Sequence, residues 1–283
     1  MASRVRTRWL LIVIAAVILA AAAAFIAMRP GNDALSRARA SGVIRVGYAV
    51  EAPYAFIADG AVTGVSPATA KLIAARLGLR IEWVQTEFGS LIGELNAGRF
   101  DVIAAGLFVT PDRAASVAFS EPELRVRDGL LIPAGNPANL HSYADLIARP
   151  NLRVAVVAGS VEEQRLLELG LPPGRALKLP DAGHAMSAVA ARAADALALS
   201  LPTVRYWAAR DPLTDAIAVE EGGGGEAYVA SAFRRDETAL RAAWNGALSE
   251  ILGRDAHLRA IAPLGFEPAD LPGGVTLREV LAR

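Results

Sequence analysis

The sequence predicts an α/β protein with two lobes, each a mostly parallel sheet flanked by helices. Short apolar runs such as 102–105 alternate with segments of helical periodicity, which is typical of parallel sheets covered by helices. A Pro/Gly/Asn-rich stretch at 133–139 separates two such sets of elements, and a Gly run at 222–225 precedes the return to the first set. With 283 residues, the chain is long enough for two domains of ordinary size.

Composition excludes several classes of protein. The net charge is zero, so no nucleic acid or other polyanion is expected as a partner. The chain has no cysteine, which rules out disulfides, thiolate metal sites and cysteine nucleophiles. Its three histidines, His141, His184 and His257, are far apart in sequence, so neither a metal site nor a cofactor is expected.

The N-terminal segment, residues 1–31, has the pattern of a signal peptide or a membrane anchor. Arginines at positions 4, 6 and 8 precede an apolar run from Trp9 to Met28, and this order directs the following chain out of the cytoplasm. The run reaches the ~20 residues that span a bilayer, and no cleavage site stands out, so both interpretations stay open. Residues 32–42 are expected to form a linker or a short lead-in helix. The rest is expected to lie in the periplasm or otherwise outside the cytoplasmic membrane.

The first lobe is expected to span 43–132 and to include a return segment, 228–283. Its strands are predicted from apolar runs, and its helices from a 3.6-residue period that ends before Gly78 or Gly98. Ser66 is expected to cap the first of these helices. The expected elements are strands over 43–49, 80–85, 102–105, 129–132 and 228–233, and helices over 67–77, 90–97 and 237–252.

The second lobe is expected to span 133–227. Ser160 is a suitable N-cap for its first helix. The Gly run at 222–225 is either a loose surface loop or a hinge. The expected elements are strands over 153–157, 176–179, 195–199 and 216–219, and helices over 161–169, 183–192 and 203–209.

The stretch from Phe100 to Arg113 is the strongest candidate for a ligand site. A buried strand ends at Gly106, which permits a sharp turn. Thr110 is a good helix N-cap, and Pro111 suits the first helical position. Free backbone N–H groups and the Arg113 guanidinium then lie at the carboxyl end of a strand, where open α/β sheets bind ligands and helix N-termini bind anions. An ordinary helix start with a solvated arginine is the alternative.

Five short motifs occur in an order and spacing that resemble one family. They are Ile44-Arg45-Val46-Gly47, Leu77-Gly78-Leu79, Gly98-Arg99-Phe100-Asp101, Thr110-Pro111-Asp112-Arg113 and Phe119-Ser120-Glu121-Pro122. From about 43 to 281 the chain resembles the extracellular solute-binding proteins of ABC importers that carry polar amino acids. The resemblance implies a type II periplasmic binding protein fold with the ligand in the interlobe cleft, and an ABC permease as partner. It also implies that Arg113 grips the ligand carboxylate. A monomer is expected.

Further motifs resemble the branch of this family that binds ectoine and hydroxyectoine. They include Glu51-Ala52-Pro53-Tyr54, Thr86-Glu87-Phe88-Gly89-Ser90-Leu91-Ile92 and Leu264-Gly265-Phe266. The resemblance implies that Tyr54, Phe88 and Phe108 box the ligand ring and that Glu51 pairs with its amidinium. Further carboxylate contacts are implied at a strand-to-helix turn of the second lobe, formed by Ser160, Val161 and Glu162, and helix N–H groups near Thr110 can add to them.

Ser200 departs from the wider family, in which amino-acid binders usually carry an aspartate for the α-ammonium group at this position. The departure argues against an ordinary α-amino acid and favours a compatible solute with a delocalised or quaternary cation. Alternatives are a binding protein for a polar amino acid or opine, an anchored sensor ectodomain, or a dehydratase, although no nucleophile–base pair is evident. At the residue level, Phe88, Phe108 and Tyr54 also fit a hydrophobic core, and Glu51 also fits a solvated loop.

Overall fold

The computed structural model describes residues 33–219 and 226–283. Two expectations lie outside these ranges: the signal peptide or anchor at 1–31 and the Gly run at 222–225. Within the described ranges, no helix is both long enough and apolar enough to cross a membrane.

The strands and helices follow in chain order. The strands are β1 (Val43–Tyr48), β2 (Phe56–Ala58), β3 (Ala61–Thr63), β4 (Arg80–Gln85), β5 (Val102–Ile103), β6 (Ala118–Phe119), β7 (Leu124–Val126), β8 (Asp128–Pro133), β9 (Val154–Val157), β10 (Ala176–Leu179), β11 (Ala196–Ser200), β12 (Thr214–Ala218), β13 (Ala227–Val229) and β14 (Ala232–Phe233). The α-helices are α1 (Ala34–Ser41), α2 (Val65–Arg76), α3 (Leu91–Asn96), α4 (Pro111–Ser116), α5 (Tyr143–Ala148), α6 (Val161–Glu168), α7 (Ala182–Ala190), α8 (Leu201–Ala208), α9 (Thr238–Ile251), α10 (Asp255–Ile261) and α11 (Leu277–Leu281).

The first lobe is built on a five-stranded sheet in the order β4-β1-β5-β14-β6. β1 is parallel to β4 and β5, whereas β14 runs antiparallel to β5 and β6. Helices α1, α2 and α9 cover one face, where Ile73 and Trp244 are fully buried against β1. Leu91 and Leu95 of α3 cover the other face together with Phe100. Both faces are therefore apolar, as a covered sheet requires.

Residues 34–41 form a helix that is part of this core, so of the two expectations for 32–42 the short lead-in helix is confirmed and the linker is not. Asp33 caps α1 by accepting a hydrogen bond from the Ser36 backbone N–H at 3.0 Å. The Ala34 backbone N–H donates to the buried Glu237 carboxylate at 2.7 Å. Leu35 is buried against the sheet, because the first turn of α1 presents apolar side chains to it.

The second lobe is built on a sheet in the order β10-β9-β11-β8-β12. β9 is parallel to β10 and β11, and β8 runs antiparallel between β11 and β12. The strand expected to close the first lobe at 129–132 therefore belongs to this second sheet, so the boundary expected after residue 132 lies too late. Leu130 and Leu131 of β8 are fully buried on opposite faces of this sheet.

The chain crosses between the lobes at β7 and β13, which pair antiparallel and are called here the hinge ribbon. The single strand expected at 228–233 is wrong, because β13 and β14 join different sheets. Ser231 lies between them, and the buried Glu123 carboxyl accepts from its backbone N–H at 3.0 Å and its hydroxyl at 2.6 Å. The carboxyl thus joins the two strands of the hinge ribbon at one end, where Leu124 pairs with Val229.

Local details of the first lobe differ from expectation at one helix start. Ser66 does not cap α2, because Gly64 adopts φ +119° and allows the helix to begin two residues earlier than expected, at Val65. The Ser66 hydroxyl instead accepts from the Gly106 backbone N–H at 3.0 Å. It therefore fixes the turn after β5, which leads to the candidate site. By contrast, the strands expected at 80–85 and 176–179 are confirmed residue for residue.

Candidate functional site

The candidate site lies in the cleft between the lobes, where strands of both sheets end. Of the residues expected to bind ligand, all but Tyr54 and Thr110 line one pocket. The lining is Glu51, Phe88, Gly106, Phe108, Arg113, Ser160, Val161, Glu162, Leu199 and Ser200. The two lobes are closed on each other and leave a cavity of about 10 Å³, so a ligand enters only after the lobes separate.

Arg113 lies in the first turn of α4 and reaches across the cleft. Thr110 caps this helix, since its hydroxyl accepts from the Arg113 backbone N–H at 3.2 Å. The guanidinium donates to the Phe108 carbonyl of its own lobe and to the Gly159 carbonyl of the other lobe, both at 2.9 Å. Its carbon lies 5.5 Å from the centre of the Phe88 ring. A guanidinium has five N–H donors, and these two bonds leave donors for a carboxylate.

Burial lowers the pKa of Arg113 to about 10, and the nearby carboxyls of Glu162 and Glu51 oppose this shift. The guanidinium therefore stays positive at neutral pH. Because its fork of N–H groups matches the geometry of a carboxylate, Arg113 has the chemistry of an anion-recognition group. The alternative of a solvated surface arginine is wrong.

Glu51 follows β1 and is 9% exposed. Two backbone hydrogen bonds between Glu51 and Ala55, of 2.7 and 2.8 Å, fix its loop. The carboxylate accepts a hydrogen bond of 2.7 Å from the Thr203 hydroxyl of the second lobe. Burial raises the pKa of Glu51 to about 7, against the opposing effects of Thr203 and Arg113. Glu51 is therefore a buried acidic group in the cleft, and not a solvated loop carboxylate.

Thr203 is a site residue that the sequence analysis missed. Ser200 caps α8 by accepting from the Thr203 backbone N–H at 3.4 Å, and its hydroxyl donates to the Thr203 hydroxyl at 3.1 Å. The two hydroxyls and Glu51 thus form a hydrogen-bonded chain from one lobe to the other. The Ser-Leu-Pro-Thr helix start was the available signal, since residues at N-cap and N3 face the same side.

The aromatic residues divide into two kinds. Phe88 and Phe108 line the pocket and also pack in hydrophobic clusters, so both interpretations of these residues hold. Tyr54, in contrast, is buried behind the pocket wall, 5.9 Å from the Phe266 ring. Its ring packs so closely on Gly106 that a Cβ there would lie 2.5 Å from it. The Tyr54 ring therefore lies directly behind Gly106, which lines the pocket, and its contact with a ligand stays a prediction.

The second lobe contributes the turn between β9 and α6. Ser160 caps α6 by accepting from the Glu163 backbone N–H at 3.1 Å. The Glu162 side chain is 4% exposed and lines the pocket. Burial, together with Asp128 and Glu51, raises the pKa of Glu162 to about 8.

Thr110 lies outside the pocket and lines an adjoining cavity between α4 and α6. Across this cavity the Gln164 amide donates to Asp112 at 3.0 Å, which adds a third hydrogen bond between the lobes. The backbones of the two lobes approach each other closely at Gly89 and Gly159, where a Cβ on Gly159 would lie 3.1 Å from the Gly89 Cα. A Cβ on Gly89 would lie 3.1 Å from the Ala158 carbonyl oxygen.

Two lobes joined by a two-stranded hinge, with a buried cation and buried carboxyls facing each other across the cleft, define a protein that closes over a small polar solute. Residues 44–261 match the bacterial extracellular solute-binding proteins, family 3. The chain belongs to this family.

Relatives and solved structures agree with this assignment. The probable amino-acid ABC transporter periplasmic-binding protein y4tE of Sinorhizobium fredii is 31% identical over 252 residues, which cover 85% of this chain and 83% of that protein. The arginine-binding extracellular protein ArtP of Bacillus subtilis is 26% identical and covers 86% and 92%. The structure of EhuB in complex with hydroxyectoine is 31% identical, with a TM-score of 0.82, and covers 89% of this chain and all of that chain.

These matches establish a type II periplasmic binding protein fold and a solute-binding component of an ABC importer of the amino-acid class. The family consists of binding proteins of transporters, in agreement with the expectation that this chain is not an enzyme. The relatives are extracellular or periplasmic proteins, in agreement with the expected location of the two lobes.

Proposed function

We propose that this protein captures a compatible solute, ectoine or hydroxyectoine, by closing its two lobes, and delivers it to an ABC permease. The observation that carries the proposal is that Arg113 and Glu51, one positive and one acidic group, line the same pocket as the rings of Phe88 and Phe108. A zwitterion has a carboxylate for Arg113 and a cationic group for Glu51. Its two groups therefore replace the water that both side chains lose when the cleft closes.

The carboxylate of the ligand binds Arg113. In the closed lobes this guanidinium already bonds the Gly159 carbonyl of the second lobe, so a carboxylate held by Arg113 lies at the junction of the lobes. Charge-assisted bonds of this kind contribute about 1.5–3 kcal/mol each. The guanidinium bonds the second lobe only after closure, so the group that holds the carboxylate also holds the lobes together.

The cation of the ligand lies against the aromatic rings and Glu51. A delocalised cation gains on the order of 2 kcal/mol from each desolvated ring that it contacts. Ser200 offers a hydroxyl where amino-acid binders of the family usually carry an aspartate, so the site has less to offer an α-ammonium group. A micromolar affinity requires roughly 8 kcal/mol in total. The guanidinium, the two rings and the Glu51 carboxylate together supply enough favourable interactions to reach it.

A basic amino acid is the alternative ligand, and one observation favours it. The pocket contains a second buried carboxyl, Glu162, beyond the one that a simple zwitterion needs. The relative ArtP is an arginine-binding protein, which is consistent with a ligand that carries an additional positive charge.

Calorimetric titration with ectoine, hydroxyectoine, glycine betaine, L-arginine and L-histidine tests the proposal. We expect heat with ectoine or hydroxyectoine; if only the amino acids give heat, the compatible-solute proposal fails. Arg113→Ala should abolish binding of any carboxylate ligand. Arg76→Ala is the matched control, because Arg76 pairs with exposed Glu250 on the surface of the first lobe.

A thermal scan gives an independent measurement. Ligand at a hundredfold over its Kd adds about 2.7 kcal/mol to the free energy of unfolding, which corresponds to a rise in Tm of several degrees at roughly 2–4 °C per kcal/mol. Wild type and Arg76→Ala should show this rise, and Arg113→Ala should not. An equal rise in Arg113→Ala would place the site elsewhere.

A further inference from the structure

Glu162 is a buried acid that faces the pocket without a partner. Its side chain is 4% exposed and forms part of the pocket lining. Within 33–219 and 226–283, its carboxyl makes no ion pair and no hydrogen bond to another residue. A buried ionised carboxylate without a partner is costly, so such a group either binds a cation or takes up a proton.

The charged groups around Glu162 come from several elements. Asp128 at the start of β8 and Arg165 on α6 form an ion pair behind it, and the Tyr143 phenol of α5 lies beside that pair. Across the cleft, the groups of the first lobe that act on Glu162 are Glu51 and Arg113.

The charges in the closed cleft do not balance. Since Asp128 and Arg165 neutralise each other, the remaining groups are two carboxyls, Glu51 and Glu162, and one guanidinium, Arg113. With both carboxyls ionised, the cleft carries one net negative charge. A neutral zwitterion leaves that charge in place, whereas a ligand with one carboxylate and two cationic groups cancels it.

We propose that Glu162 determines the net charge of the ligand that the cleft accepts. A monocation with one carboxylate binds while Glu162 is ionised, and a neutral zwitterion binds together with one proton that Glu162 takes up. For the zwitterion this inference rests on the function proposed above. It states in addition that the closed lobes hold one proton, on Glu162, together with the ligand.

The direction of the pH dependence follows from burial. In the closed cleft, burial raises the pKa of Glu162 to about 8. When the lobes separate, we expect water to reach the carboxyl, so that its pKa falls toward the ordinary range of a glutamate, about 4.3. Between the pKa of the open state and that of the closed state, the closed protein holds a proton that the open protein has released. Zwitterion binding is therefore strong at low pH and weakens about tenfold per pH unit across this window.

The experiment measures ectoine binding by calorimetry at pH 5.5, 6.5 and 7.5, in two buffers with different ionisation heats. For wild type we expect uptake of about one proton and a Kd that rises about 100-fold over this range. In the complex Glu51 stays ionised, because it pairs with the cation of the ligand and an opposite charge lowers the pKa of a carboxyl. Glu162→Gln imitates the protonated carboxyl of Glu162, so it should bind ectoine without proton uptake and with a constant Kd. Glu168→Gln, a control on the exposed side of the same helix, should behave as wild type.

Wild-type binding without proton uptake, or uptake that persists in Glu162→Gln, overturns the inference and leaves the proposed function intact. If neither ectoine nor hydroxyectoine binds at any pH, the proposed function fails, and L-arginine then decides the inference separately. It should bind wild type without proton uptake and bind Glu162→Gln at least tenfold more weakly. Equal binding to both proteins, or no binding to wild type, overturns the inference.

Discussion

The hydrogen bond from the Thr203 hydroxyl to the Glu51 carboxylate joins the two lobes, and Thr203→Val removes it. The donor and acceptor oxygens are 2.7 Å apart, and both residues are buried. Valine has nearly the shape of threonine, so the substitution deletes the hydroxyl without opening a cavity. Glu51 then loses its donor from the second lobe while it remains buried in the closed cleft.

The magnitude follows from the charge and burial of the acceptor. Leaving a buried charged group without its hydrogen bond costs about 1.5–3 kcal/mol. Since this bond joins the lobes, the cost falls on the closed state and not on the open one. At about 1.4 kcal/mol per tenfold change, ligand binding should weaken roughly 10- to 150-fold.

Calorimetry with the tightest ligand of the panel measures the effect, with Thr203→Ser as the matched control. Serine keeps the hydroxyl that donates to Glu51, so this variant should bind within a few-fold of wild type. The reasoning is refuted if Thr203→Val binds as tightly as wild type, or if Thr203→Ser is weakened to the same extent. Either result would mean that the hydrogen bond from Thr203 to Glu51 does not stabilise the closed lobes when ligand is bound.

Three further variants test other features. Gly89→Val places a side chain against the Ala158 carbonyl at 3.1 Å and should weaken ligand binding by about 1–3 kcal/mol, whereas Gly93→Ala, with open space around its Cβ, should not. Burial raises the pKa of Glu123 to about 7, so folding retains a proton and stability falls as pH rises from about 4.5 to 7; relative to wild type, the Tm of Glu123→Gln should be several degrees higher at pH 8 than at pH 5. Arg175→Ala deletes four hydrogen bonds to carbonyls of the second lobe and should lower Tm by roughly 6–12 °C, or about 3 kcal/mol.

Each of these variants also has an outcome that contradicts the structure. Equal ligand affinities for Gly89→Val and Gly93→Ala would mean that the lobes do not approach this closely when liganded. A difference in Tm between Glu123→Gln and wild type that is the same at pH 5 and pH 8 would mean that Glu123 is ionised in the folded protein. A change in Tm of less than 2 °C in Arg175→Ala would mean that its carbonyl bonds contribute little.

Sequence reasoning succeeded where the signal is local. The start of α4 at Thr110-Pro111-Asp112-Arg113 contains a cap, a first-turn proline and an acidic residue within four positions, so the position of Arg113 follows from neighbouring residues alone. The alternation of strands and helices likewise predicts two covered sheets. These features depend on the local pattern of apolar and polar residues and not on which distant segments pack against each other.

Sequence reasoning failed where distant segments decide. Thr203 donates a hydrogen bond to Glu51, which lies 152 positions away, and no pattern near either residue predicts this contact. β8 is an apolar strand that fits either lobe, and its antiparallel pairing with β11 and β12 assigns it to the second. The Tyr54 ring packs on Gly106, which comes from another loop, and the sequence does not show this contact. Local pattern therefore locates elements, while their partners are set by packing.

The order of strands in the first sheet has a consequence for the order in which the two lobes fold. β14 lies in the interior of that sheet, between β5 and β6, and α9 covers it from the same C-terminal segment. The first lobe therefore remains incomplete until the chain is available to the end of α9. The sheet of the second lobe, in contrast, is contiguous in sequence from β8 to β12. Because contiguous segments close shorter loops, the lobe encoded in the middle should be the first to become native.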